Sequence, residues 1–179
     1  MKENYSFSSF NKYSYFFISD AISRVMSFDK APVIICVGSD LVVGDSLGPL
    51  IGTMIRKSNI DAFVYGTLEN PITANEIPRL NERVRSAHPK SPVLVIDAAV
   101  GSADDIGMIR ILNHGIKPGL GVNKDLEKIG DCSVIGVVAP KDGGRSLRTT
   151  RLNLIYGMAE QISLAISSII KKQKKSVNY

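Results

Sequence analysis

The chain has 179 residues, 44% of them hydrophobic and 22% charged, a globular composition and not that of a disordered segment. No apolar run approaches the roughly 20 residues of a membrane helix, and MKENYSFSSF lacks the basic start and cleavage site of a secretory leader, so a cytoplasmic location is expected. The net charge of +5 is mostly local: Lys171, Lys172, Lys174 and Lys175 carry four of those charges, and this tail reads as a solvated helix end, with no nucleic-acid or membrane partner.

Residues 1–30 are rich in Ser, Tyr and Phe. They read as an N-terminal extension with a poorly ordered start and a short helix near 15–27. Val33 to Val37 is apolar on both faces and too short for a helix, the pattern of a central parallel strand. Leu47, Leu50, Ile51, Met54 and Ile55 recur at helical spacing and predict a helix over 46–57. A second strand is expected at 62–66. An imperfect helix follows over 71–88, with Asn70 as its cap, Pro71 at its first position and Pro78 as a break or kink. A third apolar strand, 93–96, runs directly into Asp97.

Strand character returns at 108–112. A Gly- and Lys-rich loop spans 114–131, and another strand covers 132–139. From Leu152 to Ile169, apolar residues recur every three or four positions, which predicts one long helix with a core-facing stripe. The order of elements predicts one α/β domain over 31–170, a three-layer arrangement with a mostly parallel sheet and helices on both faces. Residues 171–179 form the basic tail. Cys36 and Cys132 sit inside apolar runs and read as small buried hydrophobes. No Cys or His spacing suits zinc.

In open α/β sheets, ligands bind beyond the carboxyl ends of the strands. That rule selects Gly38 to Pro49 and Asp97 to Gly101. The first segment is neither a dinucleotide fingerprint nor a P-loop, and Asp45 would repel a phosphate at the helix mouth. Asp45 and Asp97 are therefore the candidate catalytic pair. The competing reading makes Asp45 a helix cap and Asp97 a turn residue.

The motifs V-G-S-D-x-x-x-G-D-S-L-G-P, Y-G-T-L-E-N-P, V-I-D-A-x-x-G, K-P-G-x-G-V and G-D-x-S-x-x-G occur in that order from Val37 to Gly136. Together they resemble the YyaC-type spore protease family of sporulation proteins. That family is similar in turn to the germination protease of spores and to hydrogenase maturation endopeptidases. The resemblance implies a phosphorylase/hydrolase-like, hydrogenase-maturation-protease-like α/β fold. It also implies an endopeptidase of sporulation or spore germination that uses Asp45 and Asp97.

Gly38, Ser39, Glu69 and Asp131 are the expected supporting or substrate-binding positions, Asp131 as a third acidic group. His114 is the nearest sequence counterpart of the hydrogenase-type histidine, but reads as a loop residue. The hydrogenase-type loop opens with glycine-asparagine where this chain has Gly38-Ser39, a departure that counts against nickel recognition. The implied partner is a protein or peptide substrate, small spore proteins among the candidates, and self-association is left open. Two further readings stand beside the peptidase. One is a non-catalytic binding or regulatory protein of the same fold. The other is a divalent cation held by Asp45 and Asp97, with oxygen ligands favouring Mg²⁺, Ca²⁺ or Mn²⁺; no other cofactor is expected.

Overall fold

The computed structural model describes residues 4–117, 128–142 and 144–176. The elements run β1 (Asn4–Ser8), α1 (Ser14–Val25), β2 (Val33–Cys36), α2 (Leu47–Lys57), β3 (Phe63–Tyr65), α3 (Ile77–Ala87), β4 (Val93–Gly101), β5 (Met108–Leu112), β6 (Cys132–Pro140) and α4 (Leu152–Ser176). The six strands form one sheet in the order β1-β5-β6-β4-β2-β3. β3, β2, β4 and β6 are parallel neighbours. β5 lies antiparallel to both β6 and β1, so it alone runs against the others. The sheet is mixed but mostly parallel, as its apolar runs predict.

Alternation along the central strands divides the core between two faces. Ile34, Cys36, Leu94 and Ile96 pack with Ile18 and Ile22 of α1, Leu47 and Ile51 of α2, and Ile155 and Ile162 of α4. Val33, Ile35 and Val95 pack on the other face against Ile77, Leu80 and Val84 of α3. Strands buried on both sides carry no polar face, which is why β2 reads as an unbroken apolar run. Both cysteines are buried as expected, and burial pushes the Cys132 thiol up to about 12.

Four elements differ from the sequence reading. The start of the chain is ordered: Asn4 to Ser8 pair with Leu112 to Met108, and Tyr5 and Phe7 stack at 6.4 Å. The third helix begins later than expected. Thr73 and Glu76 make a reciprocal capping box ahead of it, Pro78 falls in its first turn and does not break it, and Asn70 closes a tight turn with Thr67. β4 continues past Asp97 to Gly101 because β6 pairs with it along that whole length. α4 runs on through the lysines to Ser176. Among the described residues, no helix is long and apolar enough to cross a membrane.

Candidate active site

β2 ends at Cys36, while its neighbour β4 continues to Gly101. The step between them is the crevice. Val37 N–H still donates to Ile96 O at 2.8 Å, and Gly38 N–H turns the other way to Ile72 O at 2.8 Å. The chain then folds back over the end of β2. Ser39 N–H donates to Asp45 O at 3.2 Å, Asp45 N–H donates to Val42 O at 2.9 Å, and residues 43–46 form a single 3-10 turn before α2.

Gly38 is indispensable to this fold-back. Its φ is +141°, and a Cβ there would stand 2.0 Å from Asp45 O. Gly48 lets the first turn of α2 lie directly on β2, where a Cβ would meet Val37 O at 2.1 Å. Together these glycines draw Asp45 down onto the exposed step of β4.

Asp97 lies on that step. It is half-buried, pairs by register with Ile135 of β6, and accepts a hydrogen bond from Ala98 N–H at 2.9 Å. Burial pushes its pKa up to about 7, and the negative charge of Asp45 adds to the rise, against a lowering by the Ala98 N–H. Burial also raises Asp45, opposed by a hydrogen bond from the Ser39 backbone. Burial and the charge of Asp45 therefore keep a proton on Asp97 into the neutral range. The N-cap position of α2 falls to Ser46, without a side-chain cap hydrogen bond, and Asp45 lies in the 3-10 turn before it.

Gly38 and Ser39 lie on the loop that folds back to Asp45. Two of the expected supporting residues lie elsewhere. Asp131 sits at the opposite edge of the sheet, where its Oδ2 accepts from Val93 N–H at 2.8 Å and its own N–H donates to Val93 O at 2.8 Å. It precedes a parallel strand, so it is placed at the amino end of β4 and not at the crevice. Asp131→Ala is expected to lower stability by about 1 kcal/mol in urea unfolding, from the lost hydrogen bond, and to leave any activity unchanged. Glu69 is well exposed and lies 4.0 Å from Arg56 on the flank of α2. The turn that carries it is drawn onto that helix by Leu68 N–H donating to Thr53 Oγ1 at 2.9 Å.

Neither histidine reaches the pair. His88 bonds Tyr65 Oη at 2.8 Å and stacks on Phe63 beyond α3, and the His114 carbonyl accepts from Ser133 Oγ at the start of β6. Ser46 Oγ is committed to Val43 O at 2.7 Å. No Ser-His or Cys-His couple forms there. Among the described residues, no three His, Cys, Asp or Glu side chains gather as a metal site. Two carboxylates alone do not match the donor set of a protein-held transition metal, so the residues present do not fit nickel. Residues 118–127 of the Gly- and Lys-rich loop expected over 114–131 lie outside the described residues.

Two features are not legible in the sequence. The bridge of Val37 to Ile72 closes one side of the crevice, and a groove lined by Phe10, Ile106 and Leu154 adjoins the turn that carries Asp45. Neither follows from spacing, because both join segments distant in sequence.

The mostly parallel sheet, with Asp45 and Asp97 at its carboxyl edge, is that of an α/β protein of the hydrogenase-maturation-protease type of fold. The crystal structure of the [NiFe] hydrogenase maturation protease HycI from Thermococcus kodakarensis KOD1 superposes with a TM-score of 0.55 at 17% identity, over 87% of this chain and 99% of that one. By sequence, the chain belongs to the family described as "Protein of unknown function (DUF1256)", which it matches over residues 6–165. It is 36% identical over 142 residues to the uncharacterized protein YyaC of Bacillus subtilis (strain 168), covering 77% of this chain and 69% of that protein.

Proposed function

We propose that this chain is an endopeptidase in which Asp45 and Asp97 activate a water molecule. The observation that carries the reading is the meeting of two carboxyl groups at the carboxyl edge of the sheet, both raised by burial, with Asp97 pushed up to about 7 and the charge of Asp45 adding to its rise. The sequence resemblance to sporulation proteins adds the setting, and makes small spore proteins the first substrates to try.

In the proposed step, ionised Asp45 takes a proton from water as its oxygen attacks the scissile carbonyl carbon. Protonated Asp97 donates a hydrogen bond, then its proton, to the carbonyl oxygen. The tetrahedral adduct collapses, the C–N bond breaks, and the leaving nitrogen takes up the proton that Asp45 had received. The loss of the adduct's hydroxyl proton to Asp97 restores the starting state.

The pH dependence follows. Activity needs one proton on the pair, so kcat/KM falls above about pH 7 as Asp97 ionises, and falls in acid as Asp45 becomes protonated. A rate profile from about pH 4 to about pH 9 on a cleaved substrate is expected to be bell-shaped with its upper limb near 7. A profile flat through neutrality contradicts the assignment.

The deciding experiment incubates wild type and Asp97→Asn with small spore proteins and an extract of sporulating cells, and reads new peptide termini by mass spectrometry. New termini with wild type alone are expected. None from either folded protein, over several pH values and with Mg²⁺, Ca²⁺ or Mn²⁺ added, would favour a binding or regulatory protein.

A further inference from the structure

A cavity of about 270 Å³ opens at the amino edge of the sheet, the edge opposite to Asp45 and Asp97. Val84, Arg85 and His88 at the end of α3 line one side of it. Val93 at the start of β4, with Lys128 and Asp131 ahead of β6, lines the other. Its size suits a ligand of a few heavy atoms up to a dipeptide, below the roughly 300–1,000 Å³ of sites for larger molecules.

The walls are held in place without a ligand. The His88 ring stacks on Phe63 at 4.0 Å, and its Nε2 lies 2.8 Å from Tyr65 Oη. Asp131 is tied to Val93 twice, its Oδ2 accepting from Val93 N–H and its N–H donating to Val93 O, both at 2.8 Å. Val84 is buried and Val93 half-buried, which gives the cavity an apolar floor. A pre-formed wall lowers the ordering cost of binding.

The charge pattern selects the ligand. Arg85 and Lys128 bring two cations and Asp131 a carboxylate to one small space, yet none of the three makes an ion pair among the described residues. Val93 N–H takes up Oδ2 of Asp131, which leaves Oδ1 to a ligand. The carboxyl end of α3 adds a negative partial charge on the same side as Arg85. A simple anion would suit Arg85 and Lys128 but meet the charge of Asp131, and a simple amine would meet the reverse. A molecule with one charge of each sign satisfies all three.

We propose that this cavity binds a small zwitterion, an α-amino acid or dipeptide with a small apolar side chain, its carboxylate on Arg85 and Lys128 and its ammonium on Asp131. The site is separate from the carboxylate pair and does not rest on the endopeptidase reading.

Two-dimensional ¹⁵N–¹H spectra of the full-length protein, titrated with L-valine and with glycyl-L-valine, test the assignment. Shifts are expected at the amides of Val84, Arg85, His88 and Asp131, with a Kd of about 1 mM for the tighter ligand. Which of the two is tighter tells a free amino acid from a peptide as the source, and either order upholds the site. N-acetyl-L-valine lacks the ammonium and L-valinamide the carboxylate, and each should bind about tenfold more weakly than L-valine. Arg85→Gln should weaken L-valine about tenfold. Asp131→Asn keeps an acceptor for Val93 N–H, and should weaken L-valine by a similar factor without weakening N-acetyl-L-valine. Arg56→Gln on α2 is the control, expected to change neither. If a variant does not fold, the ligand series on wild type decides the matter. Equal binding of L-valine and N-acetyl-L-valine, or inorganic phosphate binding as tightly as L-valine, would overturn the proposal. So would shifts confined to Gly38, Ser39 and Asp97, or none at all up to about twentyfold the expected Kd.

Discussion

An Asp97→Asn variant is expected to lose about three orders of magnitude in kcat/KM and yet to withstand more urea than wild type at pH 8. The two effects share one cause. Asp97 has its pKa raised from 3.8 to about 7, first by burial and then by the charge of Asp45. Between those pH values the folded protein holds a proton that the unfolded chain has released. Stability from this group is therefore present below about pH 4, declines as pH rises to about 7, and stays lost above it. Asparagine has no such proton to lose. A tenfold change in proton affinity corresponds to about 1.4 kcal/mol, and the partial opening of Asp97 to solvent reduces the full effect to about 2 kcal/mol at pH 8. At about pH 4 the gain should vanish. Chemical denaturation at both pH values checks this, and a variant destabilised at both would make Asp97 a structural acceptor.

Gly38→Ala carries a large expected loss of structure for one methyl group. At φ +141° an alanine is strained, and its Cβ would fall 2.0 Å from Asp45 O. The fold-back must open, which moves Asp45 away from Asp97. A loss of about 2–4 kcal/mol in urea unfolding is expected, together with loss of whatever activity the pair supports. The control is Gly157→Ala in α4, where nothing lies within 4 Å of the added carbon. Removing that glycine from a helix interior should stabilise the protein by about 0.5–1 kcal/mol. Equal effects of the two substitutions would show that Gly38 is not what holds the crevice.

The legible parts of the fold are those whose side chains alone decide the conformation. β2 and β6 are too apolar for anything but a doubly buried strand, and α2 and α4 carry a stripe of helical period. β1 escapes such a reading because its pairing with β5 is set by chain distant in sequence, and Tyr5 and Phe7 alternating with Ser are a weak local signal. The extension of β4 escapes it for a similar reason: Ala98 to Gly101 hold strand geometry only because β6 lies alongside.

At the candidate site, Asp45 and Asp97 are legible because each follows an apolar run. Asp131 misleads because it precedes one, and in a parallel sheet the two ends of a strand face opposite edges. Glu69 lies at the right edge in sequence terms, but its turn is pulled back onto α2. Motif spacing does not register that fold-back. The groove beside Asp45 gathers Phe10, Ile106 and Arg151 from three distant segments, and no local pattern joins them.

The pairing of Asn4 with Leu112 also governs how this molecule must be assembled. During synthesis the first strand leaves the ribosome long before its partner exists, and at roughly 5–20 residues per second that delay lasts several seconds or more. The aromatic stretch Tyr5 to Phe17 is meanwhile uncovered in the nascent chain. The parallel core of β2, β3 and β4 lies wholly between the two partners in sequence, and β5 joins that core only through the still later β6, so β1 must wait for a sheet already begun without it. Its late arrival also completes the mouth of the groove, since Phe10 follows β1 directly. A chain that has not yet closed its outer edge would therefore have its carboxylate pair in place but an unfinished groove.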